Sequence, residues 1–158
     1  MDISEVLKPE LMKFDMEAHE KKQAVLELAQ LMWEHGYVED LQGLVDATMA
    51  REAEYSTGIG MGVGIPHAKS SVVKQPAVAF GKSSKGIEFD SFDGEPVYLV
   101  FLIAVPEKSD KEHLNILSML SRALMHEEVR EVLMRASTPE EVVNAFQIVR
   151  IENKSDKG

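Results

Sequence analysis

The pattern of apolar residues predicts an α/β fold, with a mixed β-sheet covered by helices on both faces. Three observations point to it. One short strand pattern is followed by two helical patterns, then a group of strands, then helices to the end. The longest apolar run, residues 97–105, is nine residues of Val, Tyr, Leu, Phe, Ile and Ala, the composition of a buried central strand. No internal repeat or low-complexity linker divides the chain, so residues 1–150 read as a single domain and 151–158 as a polar tail.

The elements follow in order. Residues 10–15 are read as a first strand. Over 21–35, Ala24, Val25, Leu28, Leu31 and Met32 recur at helical spacing, and Gly36 is a natural stop. A second helix is expected over 39–52, with Leu41, Leu44, Val45, Thr48 and Met49 on one stripe. Residues 76–82 and 96–105 are strands, and the Asp93-Gly94 turn signal between them predicts that they pair as neighbours. Ser109 with Glu112 reads as a capping box for a helix to about residue 125, with Leu114, Leu117, Leu120, Ser121 and Leu124 facing inward. A shorter helix is expected over 127–135. Thr138-Pro139-Glu140-Glu141 then supplies an N-cap, a proline at the first helical position and a capping carboxylate.

Composition narrows the function. The 158 residues carry 17 Lys+Arg against 27 Asp+Glu, a formal net charge of −10. Such a surface disfavours non-specific binding to nucleic acid or anionic membranes and is compatible with docking a basic protein. There is no cysteine, which removes disulfides, cysteine-ligated zinc and thiol chemistry and suits a reducing compartment. The apolar runs fall short of the ~20 residues that span a membrane. No basic stretch followed by an apolar one opens the chain, so a cytoplasmic location is expected.

The segment richest in chemistry is Gly58-Ile59-Gly60-Met61-Gly62-Val63-Gly64-Ile65-Pro66-His67. If extended, it places Ile59, Met61, Val63 and Ile65 on one face and bare backbone on the other. Bare backbone admits the close approach of a ligand or another backbone. Pro66 stiffens the exit and presents His67, a candidate nucleophile or proton carrier. Arg51 with Glu52 beside it, then Ser56 and Thr57, precede the glycines, and Lys69, Ser70 and Ser71 follow. Arg51, Lys69 and the hydroxyls are the cationic and hydroxyl donors that a phosphoryl group needs. Nucleotide motifs fail on spacing. Val63 or Ile65 falls where a dinucleotide fingerprint needs its third glycine, and Pro76 falls where a P-loop before Gly81-Lys82-Ser83 needs its first. A phosphoryl donor would therefore be another protein or a small metabolite.

His113 lies near the start of the helix expected after residue 109, on the side of Leu117 and Leu120. It is either a core-edge histidine or a partner of His67 across a pocket, aided by the positive helix end. No spacing motif supports a metal site from these two, and none is assigned. His19, His35 and His126 read as surface groups.

Taken together, Arg51-Glu52, Ser56-Thr57-Gly58-Ile59-Gly60, Gly64-Ile65-Pro66-His67-Ala68, Asp93-Gly94-Glu95-Pro96-Val97, Leu102-Ile103-Ala104-Val105-Pro106 and His113-Leu114 resemble the enzyme IIA component of the bacterial sugar phosphotransferase system. The branch is the fructose–mannitol type, which includes the nitrogen-regulatory IIA proteins, and the resemblance runs from about residue 3 to 147. Gly64 stands where alanine is usual, a change expected to matter little. The resemblance implies a three-layer α/β/α sandwich around a central mixed sheet, with no cofactor. It implies that His67 accepts a phosphoryl group, at Nε2, from phospho-HPr and passes it to a cysteine of a separate IIB protein. It places His113 in the same pocket and has Arg51 assist there. Glu52, Thr57 and Lys69 are added as phosphate-pocket support on proximity. Contact with the membrane would come only through the IIB/IIC permease. Gly86-Ile87-Glu88-Phe89-Asp90 and residues 100–106 lean towards the fructose type. The alternatives are a nitrogen-regulatory protein that binds targets according to its phosphorylation state, and a scaffold with an unused pocket.

Overall fold

Strand β1 (Leu7–Lys13) starts three residues earlier than its sequence pattern suggests, because its parallel pairing to a later strand begins as soon as the chain leaves a one-turn helix at Ile3–Glu5. The computed structural model describes residues 3–109 and 111–148, with all of their side chains except those of Glu112 and His113. The expected tail at 151–158 lies outside the described residues. Helices α1 (Lys21–Glu34) and α2 (Leu41–Glu54) follow, then β2 (Gly58–Gly60), β3 (Val63–Gly64), β4 (His67–Ser70), β5 (Ala77–Ile87) and β6 (Val97–Pro106). Helices α3 (Glu112–Leu124), α4 (Glu127–Arg135) and α5 (Pro139–Ala145) complete the described chain.

The helix ends are set by local chemistry. In α1, Gly36 takes φ +80°, Gly36 N donates to Trp33 O at 3.2 Å and Tyr37 N to Met32 O at 2.9 Å, a Schellman stop. Asp40 caps α2 by accepting from Gly43 N at 3.1 Å. Thr138 caps α5 through Glu141 N at 3.2 Å, with Pro139 at the first position, as its sequence predicts. The box proposed at Ser109 does not form the cap of α3. That helix starts at Glu112 with Lys111 as N-cap, since the chain leaving β6 first turns, Ser109 N donating to Pro106 O. Its inner face is Ile116, Leu120, Ala123 and Leu124, while Leu114 is 60% exposed. Six residues before Leu120, Leu114 lies about 120° round the helix from it.

The six strands form one mixed sheet in the order β1-β5-β6-β3-β2, with β4 also paired to β6. β5 and β6 are antiparallel neighbours from Ala77↔Ala104 to Ile87↔Val97, joined through the Asp93-Gly94 turn region. β3 and β4 run parallel to β6, and β2 folds back antiparallel on β3. Along β6, Val100, Leu102 and Ala104 pack with α1 and α2, and Leu99, Phe101, Ile103 and Val105 pack with α3, α4 and α5. Burial on both faces is why this strand reads as an unbroken apolar run. On the second face, the rings of Phe14, Phe80, Phe101 and Phe146 meet in sequence, with centroids 5.8, 5.1 and 5.9 Å apart. At the borders of the sheet, β1 carries Pro9 and a register shift between Leu7 and Met12, and β2 has three residues.

Candidate functional site

The glycine-rich segment is not one extended strand. It is a β2–β3 hairpin closed by Met61 and Gly62, with φ +59° and +76°, the two positive values that a tight hairpin turn requires. Met61 therefore leaves the expected apolar face and sits 46% exposed at the tip, while Val63 and Ile65 are buried. Asp93 holds the tip by accepting from Met61 N at 3.1 Å. The bare glycine backbone is approached by the protein itself. A Cβ on Gly58 would lie 2.9 Å from Ser91 Cα, and one on Gly64 would lie 2.9 Å from the Phe89 ring. The space at Gly64 is thus filled by the buried Phe89, and exchange for alanine is not the neutral change expected from size alone.

After Gly64 the pairing with β6 lapses for two residues and resumes at His67, opposite Ile103. Within the lapse, Ile65 N donates to Thr57 O at 3.1 Å, and Pro66 O accepts from Ile103 N at 3.0 Å. Ile65 O lies 2.9 Å from His67 Nδ1. A carbonyl only accepts, so Nδ1 carries the proton and, in the neutral ring, Nε2 carries the lone pair. His67 is 4% exposed. Burial lowers its pKa below the ordinary histidine value. The Ile65 bond works against this, the Arg51 charge adds to it, and the Glu52 charge opposes it. The net direction favours the neutral ring at pH 7. Strand alternation puts His67 opposite in sense to Ala68, which packs towards α1 and α2, and so on the α3 side of the sheet.

Arg51, in the last turn of α2, lays its guanidinium over the Tyr55 ring at 4.1 Å and donates to Tyr55 O at 3.3 Å. Glu52 is buried, and its carboxylate accepts from Thr57 N at 3.0 Å and from Thr57 Oγ1. Lys69 is exposed, two residues along β4 from His67. His113 is the second residue of α3, and its side chain lies outside those described. The structure thus groups Arg51, Glu52, Thr57 and His67, with Glu52 and Thr57 occupied by each other. Sequence reasoning missed Lys21. Its Nζ pairs with Glu52 Oε2 at 3.0 Å and with Ser56 Oγ at 3.2 Å, a contact between distant segments that no local pattern could reveal. Tyr55, Met61 and Phe92, before, at the tip of and beyond the hairpin in sequence, are large apolar side chains left 60%, 46% and 73% exposed. A groove of about 330 Å³ between the hairpin tip and α4, lined by Met61, Tyr98, Arg130 and Met134 among others, contains none of the candidate residues. Among the described residues, no three His, Asp or Glu side chains are grouped to hold a metal ion, and no helix is long and apolar enough to cross a membrane.

A mixed sheet between two helical layers is an arrangement shared with known proteins. Residues 5–148 match the family described as the phosphoenolpyruvate-dependent sugar phosphotransferase system, EIIA 2, and the chain belongs to that family. It is 44% identical over 141 residues to the fructose-specific EIIA component of Haloferax volcanii, covering 89% of this chain and 92% of that protein. To the nitrogen regulatory protein of Pseudomonas aeruginosa it is 32% identical over 147 residues, covering 93% and 94%. Among solved structures, the nitrogen regulatory protein IIA-Ntr from Neisseria meningitidis superimposes with a TM-score of 0.83 at 37% identity, covering 90% of this chain and 97% of that one. Membership makes this chain a phosphotransferase component of the IIA type, and the α/β/α sandwich expected from the sequence is the fold observed.

Proposed function

We propose that His67 is the transient carrier of a phosphoryl group, taken from an HPr-type phosphocarrier protein and passed to a cysteine of a separate IIB component during sugar uptake of the fructose type. The observation that carries this reading is the bond between His67 Nδ1 and Ile65 O in a ring kept neutral by burial. Such a ring offers its lone pair at Nε2.

In the first step, the Nε2 lone pair forms a bond to phosphorus as the N–P bond of the donor's phosphohistidine breaks, its electron pair returning to the donor nitrogen. Nδ1 keeps its proton against Ile65 O, and the positive charge gained by the ring is eased by that carbonyl and by Glu52. In the second step, a partner thiolate forms an S–P bond, the Nε2–P bond breaks, and the neutral ring returns. Little covalent chemistry is asked of the protein beyond positioning and charge stabilisation, which suits a site without a nucleotide loop. Arg51 and Lys69 supply cationic groups for the phosphoryl oxygens, with His113 from α3, while Glu52 and Thr57 support the pocket by fixing its loop. The low exposure of His67 leaves water little access to the ring between the two steps. The exposed apolar side chains of Tyr55, Met61 and Phe92 offer contacts to a basic partner seating on this acidic protein. No nucleic acid is involved, and the protein works in the cytoplasm, reaching the membrane only through the IIB/IIC permease.

The test is reconstitution with phosphoenolpyruvate, enzyme I and HPr. Wild type takes one acid-labile phosphate at His67 by mass spectrometry, and His67→Ala takes none; stoichiometric acid-labile label on the variant overturns the reading. The similarity to nitrogen regulatory proteins supports a second reading, in which the same phosphohistidine controls binding to a target protein. Rapid discharge by a IIB protein selects the carrier, and stable phosphorylation that alters binding of another protein selects the regulator.

A further inference from the structure

We infer that Lys21, the first residue of α1, is a positioning residue for His67, acting through Glu52 and Ser56 to hold the imidazole in the tautomer that leaves Nε2 able to attack phosphorus. This rests on the reading of His67 as phosphoryl acceptor and adds a residue to it.

The Lys21 side chain is 14% exposed, and its ammonium reaches three separate segments. It lies 3.0 Å from Glu52 Oε2 at the end of α2, 3.2 Å from Ser56 Oγ in the following loop, and 5.2 Å from the centroid of Phe89 in the β5–β6 connection. From these contacts a continuous path leads to the imidazole. Glu52 holds Thr57 through both its N–H and its hydroxyl. Ser56 Oγ donates to Phe89 O at 2.8 Å and accepts from Gly58 N at 3.1 Å. Thr57 O then accepts from Ile65 N, and Ile65 O receives His67 Nδ1–H. Every link after Lys21 is a backbone group or a side chain whose partner is already fixed.

A further observation sets Lys21 apart from an ordinary surface lysine. Its partner Glu52, with a side chain 1% exposed, would otherwise be an unopposed buried negative charge close enough to act on His67. An arriving phosphoryl group is itself negative. With Lys21 offsetting Glu52, Arg51 is left as net positive charge to receive it.

Loss of Lys21 is expected to loosen the loop at residues 56–58, release the Ile65 carbonyl and free the ring to protonate Nε2, which removes the attacking lone pair. The test compares wild type, Lys21→Met and Lys21→Arg as full chains, using long-range ¹H–¹⁵N spectra of the ring nitrogens and steady-state transfer from phospho-HPr. The Met variant should lose the Nδ1–H signature and fall roughly 10- to 100-fold in kcat, with KM for the donor within about twofold of wild type. The Arg variant, which keeps charge and reach, should restore the signature and most of kcat. A wild-type ring spectrum with wild-type kcat in Lys21→Met overturns the inference, as does failure of Arg to restore either. Where Lys21→Met does not fold, Lys21→Met/Glu52→Gln removes both charges and is read by the same two measurements. The two readings fail separately: labelled His67→Ala overturns the carrier, whereas an unchanged ring in Lys21→Met overturns only the positioning role.

Discussion

A neutral imidazole can attack phosphorus only from the nitrogen that has no proton, and in His67 the Ile65 carbonyl places the proton on Nδ1. Ile65 O lies 2.9 Å from Nδ1, and burial lowers the pKa of the ring against the raising effect of that bond, with Arg51 adding to the lowering and Glu52 opposing it. An NMR titration should therefore place the His67 midpoint below 6.5, its ordinary value. A midpoint at or above that value would mean that solvent reaches the ring more freely than the structure allows. The consequence for stability has a definite sign. In the window below about pH 6.5 the unfolded chain binds the proton more readily than the folded one, so the contribution of His67 is present above that pH. It is lost as the pH falls towards the folded midpoint. His67→Gln should flatten this part of a pH–stability curve measured by urea unfolding. At this scale the sequence drew attention to His67 and Arg51, because short motifs name them. It was silent about Lys21, whose role depends on α1 packing its first turn against the end of α2.

The hairpin at residues 58–64 shows what a pattern of alternate glycines can and cannot disclose. Alternation suggested a strand with one naked side, and close approach was indeed its purpose. The period alone could not reveal that Met61 and Gly62 form a turn, because that depends on two positive φ values. Nor could it reveal that Ser91 and Phe89 come to occupy the naked side. Gly64→Ala should lower stability by about 1–3 kcal/mol, since the new methyl group meets the Phe89 ring and both are enclosed. Phe89→Leu on the same background should recover part of the loss, measured as a shift in the urea midpoint. An unchanged midpoint for Gly64→Ala would show that the ring yields without cost. The bounds of α1 and the start of α5 were legible because Gly36 and Thr138-Pro139 mark them, and α4 lies where it was expected. Helix α2, by contrast, starts and ends two residues later than the expected 39–52, its start fixed by the Asp40 cap. The start of α3 was not legible, because a Ser and a Glu three apart occur here in a turn rather than at a cap.

Across the molecule, the sheet is sealed by apolar residues on both faces, and this two-sided core is what the nine-residue run at 97–105 announces. Phe101 stands at the centre of the second face, in contact with Phe80 and Phe146 and with no exposed surface. Phe101→Ala should cost about 3–5 kcal/mol by thermal or chemical unfolding, and a loss below ~1 kcal/mol would mean that α3 and α5 close over the vacated space. The strand order could not be read in advance. It requires β3 and β4 to share one neighbour and β1 to cross to the far side of β5, pairings between distant segments that leave no local trace.

The two outer strands carry one last consequence. Pro9 offers no N–H to a newcomer and the β1 register is broken, while the opposite border ends in three residues folded into a tight hairpin. Neither of these two rims gives a stranger's chain a ruler to zip along, which works against crowded copies of this protein pairing edge to edge there.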